Sequence, residues 1–352
     1  MRRPALSAAL FLFAAAARAE PPQGDSDEAG IAMQMTRVED DIKTSRALVR
    51  DDALERYLHG VTCSVAGVSC GELRVYLVEM PGENVIALPN GALVIWSGTL
   101  LRMDNEAQLA QLLAHEIAHY WHKDTLRQYQ RRLDTSGLVA LLGVAASGVG
   151  MGFMGTPASM AALDARYAHS LSEEKDADRT GLELAAAAGY DPAAAAAIWR
   201  NAETDYLRLH PGHEAASAIK ENAAPSGRTG AESYHAVTAG WQSRWVDDEL
   251  RNGGDSVSLF TRLAVSGRGL FRYGLGEAYR KRAKPGDADM ARQAFRAALA
   301  SPDAEPQAWR GLGLLAMQEG DKKAARAAFA QYRAVLPLAD DRAMIDYYLA
   351  QP

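Results

Sequence analysis

Two histidines four positions apart inside an apolar run constrain this chain more than any other feature. His115-Glu116-Ile117-Ala118-His119 follows Leu112 and Leu113. Leu109, Leu113, Ile117 and Tyr120 recur on one stripe, and Asp104 or Asn105 stands where a helix cap belongs, so the spacing predicts a buried helix. Side chains at i and i+4 lie one turn apart on one face, which lets His115 and His119 reach a single metal. Glu116 sits about 100° around the helix, close enough to hold a metal-bound water without ligating. The bland alternative is a solvated helix whose His and Glu meet only water. Against it, polar groups on a buried helix need partners, and a metal is one.

Catalytic zinc usually takes three protein ligands and leaves one position open. The metzincin extension would place Gly at 122 and His at 125, but His122 and Thr125 stand there, so the third ligand lies elsewhere. Downstream, Ser170 and Glu173 have capping-box spacing and open a second helix. Glu174 and Asp178 share one face of it. Glu174 can ligate the metal, and Asp178 can accept the second ring N–H of a ligand histidine. Without the upstream histidines, the same residues read as an ordinary charged helix start.

The rest of the chain supplies context. Arg2 and Arg3, an apolar run and Ala17-Arg18-Ala19 form the charged, apolar and small-residue order of a secretory signal, predicting cleavage after Ala19 and export to the periplasm. Losing Arg2, Arg3 and Arg18 takes the formal charge from -6 to -9. Such a balance argues against nucleic acid as partner and against adhesion to an anionic membrane. A helical stretch is expected over residues 31–59. Alternation then predicts strands over 73–78, 84–88 and 92–96, the last two joined through Pro89-Asn90-Gly91, with helices after Asp104 and breaks near Gly189 and between Ser226 and Gly230. Cys63 and Cys70, in a Gly- and Ser-containing turn, either close a local disulfide or remain thiols. As a pair they are too few for a cysteine zinc site.

The ordered series Glu83 to Gly91, Asn105 to Ala110, the histidine helix, Glu174 with Ala177-Asp178, and Ala188-Gly189-Tyr190-Asp191-Pro192 resembles the periplasmic BepA-like zinc metallopeptidases. These are relatives of HtpX, the mitochondrial Oma-type proteases and the CAAX prenyl proteases. The resemblance covers roughly residues 40–215. It implies one Zn2+ on His115, His119 and Glu174, with Glu116 catalytic and Asp178 supporting a ligand histidine. Leu171 departs from it, since relatives usually carry Arg after the serine. Relatives also carry a His-Pro step like His210-Pro211, which makes His210 a candidate regulatory fourth ligand. Residues 135–163 lack any charge and are rich in Gly, which leaves a lid, a buried segment or a membrane contact open. The segment around 84–88 is a candidate free edge for an extended substrate.

At the C-terminal end, Trp309, Leu312, Gly313, Ala325, Phe329 and Pro337 fall at tetratricopeptide-repeat spacings, and Leu275, Gly276, Tyr279, Ala291 and Phe295 give a second copy. Helices between 241 and 266 make an imperfect first pair. The whole reads as α+β and mostly helical. After a signal peptide at 1–19 come a zincin-type metallopeptidase domain with a small sheet over 20–240 and an all-α repeat domain over 241–352. Two functions compete. One is an endopeptidase acting on misfolded or unassembled envelope proteins, with outer-membrane proteins and their assembly machinery as partners. The other is a chaperone or assembly scaffold with a latent zinc site. Peripheral membrane contact is the most either needs.

Overall fold

The computed structural model describes residues 26–124, 126–127, 169–193, 197–198 and 226–350. The segment read as a secretory signal, residues 135–163 and His210 lie outside them. Three short strands anchor the N-terminal half: β1 (Arg74–Val78), β2 (Val85–Ala87) and β3 (Ala92–Trp96). β3 is central, parallel to β1 and antiparallel to β2. All five of its residues are buried because both faces of the sheet are covered. Leu93 and Ile95 point into the main core with helix α2 (Asp52–Ala66), while Val94 and Trp96 meet Met35 and Ile42 of α1 (Ser26–Thr44) on the other face. The turn between β2 and β3 requires Gly91, whose φ is +84° and where a Cβ would lie 2.5 Å from the Glu72 carbonyl oxygen.

The expected helix over 31–59 is two helices, α1 and α2. Between them, Leu48 bridges Val78 and the Val49 amide donates to the Leu77 carbonyl at 2.9 Å, so this segment borders β1. Asp51 ends it by capping α2 through the Ala53 and Leu54 amides. The cysteines also lie differently from the turn expected of them. Cys63 is on α2 and Cys70 on the 3-10 helix Gly67–Glu72, with a disulfide between them. So short a loop contributes about 2 kcal/mol by chain entropy.

Glu39 of α1 clamps that helix to the sheet. It accepts from Arg74 at 2.7 and 2.8 Å, from the Tyr76 hydroxyl and from Asn90. The Arg74 hydrogen bonds, opposed by burial, hold its carboxyl down at about 2. A depressed carboxylate stabilises the fold above its ordinary value of 4.5 and loses that contribution as pH falls toward 2. Glu39→Gln is therefore expected to lower the denaturation midpoint at neutral pH and to converge on the parent near pH 2. A deficit that is equal at both pH values would contradict this.

After β3 come α3 (Ser97–Arg102), α4 (Glu106–Trp121) and α5 (Leu171–Ala187). α6 (Ala231–Asn252) then runs unbroken through residue 241, where sequence patterning puts a domain boundary. Its Tyr234 and Trp245 share one core with α2, α4 and α7 (Ser256–Leu263). Two antiparallel helix pairs follow: α8 (Gly269–Arg282) with α9 (Asp287–Leu299), and α10 (Gln307–Glu319) with α11 (Lys322–Val335); α12 (Arg342–Ala350) closes the described chain. Each contact in the series has the same plan. Phe260, Phe295 and Phe329 are fully buried, and their rings lie against Gly274, Gly276 and Gly313, where any Cβ would come within 2.6 Å. No helix among the described residues is long and apolar enough to cross a membrane.

Candidate metal centre

Helix α4 is buried from Ala107 to His119. Asn105 caps it through the Gln108 amide, which settles the choice left open with Asp104. Glu106 fixes its start by accepting from the hydroxyls of Tyr57, Tyr190 and Ser233 at 2.8–3.0 Å. α5 begins with the capping box of Ser170 and Glu173, and Leu171 is exposed at its first position, so the departure there leaves the packing intact. The two helices touch through Gly181, where a Cβ would lie 2.9 Å from the His115 amide nitrogen.

That contact brings Glu174 to the histidines. His115 Nε2 and His119 Nε2 are 3.1 Å apart; Glu174 oxygens lie 3.4 Å from the first and 3.5 Å from the second. All three residues are fully buried. A tetrahedral zinc with N and O donors at about 2.0–2.2 Å sets those donors roughly 3.3–3.6 Å apart; both histidine–glutamate distances fall in that range and the histidine–histidine distance is just under it, so the cluster fits this ion in donor type and closely in spacing. Glu116 lies beside it, and the Ala87 amide of β2 donates to Glu116 Oε2 at 3.2 Å.

Each histidine also meets a carboxylate on its far nitrogen. His115 Nδ1 is 3.1 Å from Asp178, and His119 Nδ1 is 2.9 Å from Asp124. Burial opposes protonation of His115, but the hydrogen bonds that the imidazole donates to Asp178 and Glu174 outweigh it and push its pKa up to about 10. A bound metal must displace that proton.

The structure therefore brings together His115, Glu116, His119, Glu174 and Asp178, the residues singled out in sequence. Two neighbours escaped that reading. Asp124 follows Lys123, a left-handed residue at φ +55°, which turns the chain back under α4; Arg127 pairs with the same carboxylate. The His169 ring stacks on His119 with centroids 3.8 Å apart. A carboxylate five positions beyond a ligand histidine was the one available signal for Asp124. Asp124→Asn is expected to weaken metal binding by about 10–100-fold while leaving a fillable site. Chelator competition measures this, and unchanged affinity would remove Asp124 from the centre.

Fold and site together define a metallopeptidase domain of the zincin type. Residues 50–221 match the model of peptidase family M48. It is 26% identical over 242 residues to mitochondrial metalloendopeptidase OMA1 of Arabidopsis thaliana, covering 60% of this chain and 48% of the relative. It is 28% identical over 165 residues to the beta-barrel assembly-enhancing protease of Escherichia coli K12, and 30% identical over 165 residues to that of Yersinia pestis; both cover 44% of this chain and 33% of the relative. The chain thus spans about half the length of the first and a third of the others.

Proposed function

We propose that the chain is a zinc-dependent endopeptidase of the periplasm that cleaves misfolded or unassembled envelope proteins. One observation carries this reading: two buried histidines and Glu174 converge within metal-ligand spacing, with Glu116 held beside them by a backbone amide. Zinc, when bound, polarises a scissile carbonyl and acidifies water to about pKa 7. Glu116 takes the proton from the attacking water and delivers it to the leaving amine. Asp178 and Asp124 hold the two imidazoles in the tautomer that presents Nε2. β2 is an edge strand among the described residues, and its Ala87 lies next to Glu116, so a substrate strand added to that edge would pass the general base.

A scaffold with an idle site would not require a carboxylate at 116, and this favours the peptidase reading. The helix pairs from α7 onward, read as tetratricopeptide-like repeats, would dock clients. The bacterial relatives are named for enhancing beta-barrel assembly, which supports clients of that kind. Glu116→Gln is the test. It is expected to retain one zinc per chain and to lose casein hydrolysis. In cells, it should trap clients that a pull-down recovers. Hydrolysis persisting at the parent rate would remove Glu116 as the base.

A further inference from the structure

Cys63 and Cys70 alone are too few for a zinc site, but the fold adds a third donor. His59 and Cys63 stand one turn apart on α2, the same spacing that joins His115 to His119. Cys63 Sγ is 3.6 Å from His59 Nδ1 and 3.7 Å from its Nε2. The 3-10 helix returns Cys70 to the same place, with a Cα–Cα distance of 4.7 Å between the cysteines. Donor atoms of the three residues all fall within 4.8 Å of one another. His59 is exposed and both cysteines are half-buried, so the cluster opens to solvent, unlike the sealed centre between α4 and α5.

We propose that this cluster is a second metal site, gated by redox state: a disulfide when oxidised, and a two-cysteine, one-histidine site for zinc when reduced. A dithiol reductant supplies two electrons and two protons, breaks the S–S bond and leaves as its own disulfide, giving two thiols. Zinc then displaces both thiol protons and binds two thiolates and the neutral imidazole. Thiolate and imidazole are the donors zinc selects over carboxylate-preferring cations. Zinc–sulfur bonds of about 2.3 Å place the sulfurs roughly 3.8 Å apart, within reach of side-chain rotation on this backbone. Three protein ligands leave one position to solvent, which makes the site an exchanging one. The bound metal also occupies the sulfur electrons needed to re-form the disulfide, so occupancy opposes reoxidation.

Cobalt(II) tests this on the full chain, because the centre at His115, His119 and Glu174 contains no sulfur. Dithiol-reduced protein, desalted anaerobically, is expected to show a thiolate-to-cobalt charge-transfer band that saturates at one additional cobalt per chain. Oxidised protein and Cys70→Ser should lack that saturating band. Loss of an outer partner of a ligand already costs about 10–100-fold in affinity, so His59→Ala should weaken cobalt binding by roughly tenfold or more. Circular dichroism establishes that each reduced form stays folded. A second measurement needs no variant: thiol titration during air exposure should show slower reoxidation with zinc than without. An absent band in folded reduced protein, a band of equal affinity in His59→Ala, or reoxidation indifferent to zinc would each overturn the proposal.

Discussion

His119→Ala is expected to empty the catalytic centre of zinc and to end proteolysis in one step. In the proposed centre the residue supplies a ligand nitrogen, and its ring fills a fully buried position between His115, Glu174 and Asp124. Two donors do not hold a catalytic zinc that ordinarily takes three. Losing the metal removes several kcal/mol of transition-state stabilisation, which is roughly a thousandfold or more in rate. Atomic emission on the dialysed protein and casein turnover measure the two losses. Alanine also removes one partner of the buried Asp124 carboxylate, so His119→Gln accompanies it to separate metal loss from unfolding. Stoichiometric zinc in either folded variant would sink the assignment of His119.

Gly181→Val is expected to be as damaging without touching a ligand. A Cβ there would stand 2.9 Å from the His115 amide nitrogen and 3.0 Å from its Cα. The obstacle is helix backbone, which cannot rotate away. α4 and α5 must part, and Glu174 rides on α5. Overpacking of this kind costs about 1–3 kcal/mol or more, and the displaced carboxylate weakens the metal site as well. Gly60→Ala is the matched control. Gly60 lies within α2 with no atom near its missing Cβ, so alanine should stabilise by about 0.5–1 kcal/mol. Thermal denaturation with and without chelator reads both. Parent-like stability and zinc affinity in Gly181→Val would show that the helices do not depend on that contact.

The parts of the site that sequence revealed are those encoded by helical spacing. His115 with His119, and Glu174 with Asp178, are i,i+4 pairs, and the capping box announced the helix that bears the second pair. Asp124 and His169 were hidden because each reaches the centre through a chain reversal or a tertiary contact, and residue periodicity carries no record of either. The split between α1 and α2 was missed for a related reason. Residues 45–51 follow no strand alternation, although Asp51 ahead of Asp52 is a helix-start signal that reads correctly in hindsight. The strands came out within one or two residues of expectation because β3 is apolar throughout and Gly91 marks the turn before it.

Glu249 carries a consequence for anyone who would recombine this protein. From α6 its carboxylate accepts from the Gly82 amide at 2.7 Å and pairs with buried Arg102 of α3. One side chain is thus shared by the strand-bearing half and the helical half. A chimera joined at residue 241 would take Glu249, its buried carboxylate partner, away from Arg102, and its donor half would carry Glu249 without that arginine. A seam at the Gly253-Gly254 step after α6 ends, where the chain passes to α7, keeps Glu249 with both of its partners.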